Sequence, residues 1–356
     1  MFFGLVAVDH PCCKMQNVVE AFFLNATKAD AYSLGLFPQW IRPTLRNGKC
    51  ALGGKFSNVF ALLHADEMTE DIRRSICEQL RLTNRIEELC EGTMHIPNNV
   101  IDWKSALGIA IADLMLALYD ALDLAVFRKT GHTGKSTHQL YSAFIAKNKY
   151  VCPFCGLDIF KNRRGPRRQD FDHYLHKSAY PLAAANLKNL VPTCGTCNQD
   201  YKKVQDILAN GSAFYPYAAI PKVRLEIDCT AYPATNNFDD SGSWSVKLEL
   251  VNPDAAVAPK MTAWNRVYSI KQRIENAIQE YFEEWMTEVS DDYPHTVDEV
   301  EFVRLITSAR GKAKERAQRR MEPCQIVKEA FYDFVLTKAR SPFVESFRRL
   351  RNERYN

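Results

Sequence analysis

Two cysteine pairs and the polar residues around them are the part of this 356-residue chain whose types and spacing can do chemistry. Cys152-Pro153-Phe154-Cys155 and Cys194-Gly195-Thr196-Cys197 are two CxxC turns with 38 residues between them. A CxxC turn presents two thiolates to one face. Two such turns complete a tetrahedral four-cysteine zinc site with no open position, which makes the expected zinc structural rather than catalytic. Between the pairs stand a basic run (Lys161, Arg163, Arg164, Arg167, Arg168), then Asp170, then Asp172-His173-Tyr174, then Asn189-Leu190-Val191-Pro192. Asn198, Lys202 and Lys203 follow the second pair.

In that order, CPFC…DFDHYLHK…NLVPTCGTCN…K closely resembles the zinc-binding HNH endonucleases, over about 55 of the 356 residues. The resemblance implies a ββα-metal, treble-clef-like module. It implies that His173 is the general base that takes a proton from the attacking water. Asp172 matches a ligand of a catalytic divalent ion, and Asn189 the residue that holds the loop and orients the histidine. Asn198 stands at the final motif position, where many members have histidine. One departure is His176, where many relatives have proline.

These roles fit what phosphodiester hydrolysis requires. An oxygen nucleophile must lose a proton, and charge must be stabilised on the phosphate and the departing oxygen. A neutral imidazole near its usual pKa of ~6.5 accepts a proton at cellular pH. Two oxygen donors from Asp172 and Asn198 suit Mg²⁺, which keeps several waters, with Mn²⁺ as a substitute. Arg163, Arg164, Arg167 and Arg168 in the basic loop, and Lys202 and Lys203 after Asn198, are the expected phosphate contacts. The net charge of +4 is mild and does not by itself name a polyanionic partner.

Other elements must hold this module in place. Residues 1–145 read as helical. Apolar residues recur at helical spacing from Met68 to Leu89, and Gly92 is a plausible stop. A long helix is expected from Trp103 to about Arg128. Its apolar stretch is interrupted by Asp113, Asp120 and Asp123, so it reads as a core helix rather than a membrane span. Ser136 or Thr137 is a candidate cap for a further helix, with Leu140, Tyr141, Phe144 and Ile145 on its inner face. The module is assigned to 146–208. In 209–356, Val223, Leu225 and Ile227, then Trp244, Val246, Leu248 and Leu250, alternate as two strands of a hairpin, with helices after them. The expected class is therefore α+β, with the nuclease module inserted in a mainly α-helical protein that also carries a C-terminal β-hairpin.

Eleven scattered cysteines fit a reducing cytoplasm and a metal site better than a disulfide framework. Gly131-His132-Thr133-Gly134-Lys135-Ser136 is not a phosphate loop, because position 129 is lysine where the motif needs glycine. The expected function is hydrolysis of DNA by a metal-dependent endonuclease with structural zinc and catalytic Mg²⁺ or Mn²⁺, in a setting such as bacterial or phage defence or a mobile element. RNA stays open as a substrate. An alternative is a zinc-stapled nucleic-acid-binding subunit, silent or activated by a partner. The helical flanks offer surfaces for such a partner or for a second copy of the chain.

Overall fold

The computed structural model describes residues 1–46, 51–96, 100–161, 170–229, 244–291, 298–338 and 344. The chain is mainly helical, with two separate two-stranded antiparallel sheets among the described residues. The N-terminal helices are α1 (Met15–Ala26), α2 (Arg42–Arg46), α3 (Leu52–Leu63), α4 (Glu70–Thr83), α5 (Ile86–Glu91), α6 (Ala106–Asp120) and α7 (Ser136–Asn148). The first sheet pairs β1 (Phe171–His173) with β2 (Leu190–Pro192), and a short π-helical segment, Thr196–Lys202, follows. The second sheet pairs β3 (Val223–Cys229) with β4 (Trp244–Leu250). The last helices are α8 (Ala258–Tyr268), α9 (Ile270–Asp291), α10 (Glu299–Arg319) and α11 (Gln325–Thr337).

Local chemistry sets the boundaries. The single helix expected from Met68 to Leu89 is two, because the Asn84 carboxamide donates to Leu80 O at 2.9 Å and to Leu182 O at 3.0 Å and ends α4. Gly92 ends α5 in the left-handed region at φ 72°, which costs glycine little. The helix expected from Trp103 starts at Ala106, where the Ser105 hydroxyl accepts the Gly108 N–H at 3.1 Å, and gives way after Asp120 to two 3₁₀ turns. In α7 the four expected inner residues are buried. Ser136 does not cap that helix, since its hydroxyl donates to Leu122 O. The expected pairing of β3 with β4 forms, antiparallel, with Leu225 opposite Leu248 and Ile227 opposite Val246. No described helix is long and apolar enough to cross a membrane.

The cysteine-rich region is not a bead on a string. One hydrophobic core runs from Met1 to Val344 and takes in Phe154, Tyr174 and the four paired cysteines. The Trp264 indole of α8 donates to Phe154 O at 2.9 Å, and Tyr268 packs on the Phe154 ring with centroids 4.9 Å apart. The C-terminal helices therefore complete the fold around the first CxxC turn.

Candidate metal centre and polar site

The four cysteines of the two CxxC turns converge. Cys152 Sγ lies 3.9 Å from Cys197 Sγ, and Cys155 Sγ lies 3.8 Å from Cys194 Sγ. All four sulfurs are within 4.8 Å of one another, and all four residues are buried. A tetrahedron with metal–sulfur bonds of about 2.3 Å has edges of about 3.8 Å, so the sulfurs are spaced to share one zinc ion. Among the described residues this is the group of three or more His, Cys, Asp or Glu side chains placed to hold a metal.

A residue far off in sequence supports the cluster. Arg273 of α9 is 6% exposed, and its Nη1 lies 3.2 Å from Cys197 Sγ while its Nη2 lies 3.3 Å from Asp158 Oδ2. Its guanidinium also sits over the Tyr201 ring, 4.6 Å from the centroid. Burial opposes its charge, but Cys197, Cys155 and Cys194 outweigh that and hold its proton more firmly. Four thiolates around Zn²⁺ carry two negative charges, and a buried cation offsets part of them. Sequence reasoning passed over Arg273. The signal was its phase: it shares the buried side of α9 with Ile270, Ile274 and Ile278.

β1 carries Asp172 and His173 and pairs with β2, which ends two residues before Cys194, and β2 is placed by the residue before it. Asn189 is fully buried, and its side chain acts as a three-point clip. Oδ1 accepts the Leu175 N–H at 2.7 Å, and Nδ2 donates to Leu175 O at 3.0 Å and to Ala183 O at 3.2 Å. The clip fixes the segment in which the next carbonyl, Ala184 O, lies 3.1 Å from His173 Nε2. A carbonyl can only accept, so Nε2 carries the hydrogen and Nδ1 is left as the basic nitrogen. The Tyr119 ring of α6 lies 5.0 Å from the imidazole centroid. Burial, then the charge of Lys177, pulls the His173 pKa down to about 4, so the ring is neutral at neutral pH.

The carboxylate of Asp172 has different company. Lys202 is fully buried; its Nζ donates to Asp172 Oδ1 at 3.0 Å and to His173 O at 2.7 Å. The expectation that Lys202 contacts phosphate is corrected by this placement, because its ammonium is spent inside the fold. Lys203, next along, is exposed and has φ 46°. Asp172 Oδ2 is buried and has no hydrogen-bond partner among the described residues. Burial pushes the Asp172 pKa up to about 6, against the pull of Lys202. Asn198 lies about one turn before Lys202 and is half-buried. Among the described residues no hydrogen bond joins the side chains of Asp172, His173 and Asn198. Arg163, Arg164, Arg167 and Arg168 lie outside the described residues.

The two expected ions fare differently when tested against these donors. Zinc fits the sulfur geometry. For Mg²⁺ or Mn²⁺, the orphaned Oδ2 is a free donor, but the donor set of Asp172, Asn198 and neutral His173 is already brought to zero net charge by Lys202. A divalent ion bound mainly by charge has little to hold it there. No family model, curated protein or solved structure matches the chain.

Proposed function

We propose that the chain is an HNH-type endonuclease that hydrolyses phosphodiester bonds of DNA, with RNA as the other candidate substrate. The observation that carries the reading is the setting of His173: a neutral, tautomer-fixed imidazole on a short strand paired with the strand that leads into the second CxxC turn. At neutral pH its Nδ1 is unprotonated and can accept a proton from water, although burial, which lowers its pKa to about 4, makes it a weak base in the free protein. Asn189 holds the loop that orients it, as the sequence pattern implies. In the family the cation at Asp172 and Asn198 supplies Lewis-acid stabilisation of phosphate charge. Lys202 already neutralises Asp172 in this chain, so no step of the reaction is assigned through that ion. Arg163, Arg164, Arg167, Arg168 and Lys203 are the proposed phosphate contacts. A role in phage or mobile-element conflict belongs to the same proposal by analogy alone.

The test is cleavage of supercoiled plasmid by wild type and by His173→Ala, each in Mg²⁺, Mn²⁺ and EDTA. The variant is expected to stay folded and zinc-loaded and to lose cutting by at least about 100-fold, the usual worth of a general base. Cutting at the wild-type rate would remove His173 from the reaction.

A second reading is favoured by one observation, the neutralised Asp172. In it the region is a zinc-stapled nucleic-acid-binding unit, catalytically silent or activated by a partner protein. DNA binding without cleavage, unchanged in His173→Ala, would select it.

A further inference from the structure

We infer that Lys202 is the resident counter-ion of Asp172, occupying in the free protein the charge role that a divalent metal would otherwise fill. The inference bears on the site proposed above, but it stands on the geometry of the ion pair whether or not the site cuts.

Three observations lead to it. First, the lysine is completely enclosed, and it reaches two acceptors that belong to adjacent residues of one strand: Asp172 Oδ1 at 3.0 Å and His173 O at 2.7 Å. An ammonium with no solvent contact and two short bonds is fixed, not a side chain sampling the surface. Second, Asp172 is itself only 5% exposed, so water contributes little to its solvation and one positive charge must be supplied by the protein. Lys202 is the charged residue that bonds to it. Third, the segment Thr196–Lys202 is wound as a π-helix that starts within the second CxxC turn. The cysteine clamp fixes one end of that segment, and the Lys202–Asp172 pair ties its other end to β1. The lysine is thus a positioning residue that couples the metal cluster to the strand bearing His173.

The charge count has a direct consequence. One carboxylate, one ammonium and neutral His173 and Asn198 sum to zero, so the free protein presents no net negative site for Mg²⁺ or Mn²⁺. Removing the ammonium while leaving the carboxylate would expose one, with Oδ2 already free of protein partners.

The experiment uses zinc-loaded full-length protein without nucleic acid and titrates Mn²⁺, followed by electron paramagnetic resonance of the free ion. Wild type is expected to show no site filled below millimolar Mn²⁺. Lys202→Met is expected to bind Mn²⁺ at least about tenfold more tightly and to gain thermal stability on adding it. Micromolar binding by wild type, or no gain in Lys202→Met, overturns the inference. If Lys202→Met does not fold, Asp172→Asn and the double variant Asp172→Asn/Lys202→Met decide. A true ion pair makes the double variant more stable than Asp172→Asn alone, which strands a buried ammonium. A double variant less stable than that single one overturns the inference as well. Plasmid cleavage by wild type in the same preparation separates the two ideas: loss of the nuclease reading leaves the Mn²⁺ result standing, and the reverse.

Discussion

Replacing Asn189 by alanine tests how the polar site is held together. The side chain satisfies two main-chain groups that have no other partner among the described residues, Leu175 N–H at 2.7 Å and Leu175 C=O at 3.0 Å. Its third partner, Ala183 O, keeps a bond from Asn186 N at 3.2 Å, so it is not orphaned. Asn189 is fully buried, so water does not replace what is lost. A buried main-chain group left without a partner costs about 1–3 kcal/mol, so two cost about 2–6 kcal/mol. Set against a usual total of about 5–15 kcal/mol, that is a large fraction of the stability. The assay is urea unfolding of zinc-saturated protein at pH 7, followed by tryptophan fluorescence. Trp264 sits against the first CxxC turn through its bond to Phe154 O and reports on this region. Cleavage should fall beyond what the unfolded fraction explains, because the neighbouring Ala184 carbonyl that fixes the His173 tautomer is released with the clip. A loss of less than about 1 kcal/mol would refute the reasoning, since it would mean that Leu175 finds other partners.

Three further expectations follow from the same geometry. Cys194→Ser should lower zinc content below one per chain and unfold the region around both CxxC turns, which metal analysis and circular dichroism would show; full zinc content with an unchanged spectrum would end the clamp assignment. Arg273→Met should speed zinc loss to a chromogenic chelator by about 10-fold, the lower range for a supporting partner of a metal ligand, while Arg273→Lys falls between; equal rates in all three proteins would make the arginine a packing residue only. His10 is 2% exposed, and burial, then the charge of Lys129, lowers its pKa from 6.5 to about 4. The unfolded chain therefore binds more protons between those values, and stability present above pH 6.5 is lost as pH falls toward 4. His10→Asn keeps an acceptor for the Cys12 N–H and should flatten the drop in urea midpoint between pH 7 and 5; an unaltered drop would place the proton uptake elsewhere.

The parts of the fold that were legible in the sequence are those set by short-range rules. Alternation gave the pairing of β3 with β4, because one strand face is buried and the apolar residues of both strands must share it. The CxxC spacing foretold four convergent sulfurs because ligand geometry leaves few alternatives. What the sequence hid depends on distant neighbours. Arg273 reaches Cys197 across 76 positions, and its helical phase marks it as buried without naming the partner. Lys202 and Lys203 read alike as a basic pair, yet one is sealed in and the other exposed, because the π-helical winding sets which of them faces β1. The long helix drawn from Trp103 to Arg128 was too generous, since apolar residues continue beyond Asp120 while the backbone tightens into 3₁₀ turns.

The way Trp264, Tyr268 and Arg273 grip the cysteine turns also says something about how such a unit can travel between genes. A stretch cut at residues 146 and 208 would leave behind the indole bonded to Phe154, the ring stacked on it and the cation beside Cys197. Transplanted alone, it would bare an aromatic face and an uncompensated cluster of sulfurs. Recombination that preserved this site would have to carry α8 and the start of α9 along with it. The unit that holds this site is thus assembled from separated stretches of the chain rather than from one contiguous segment.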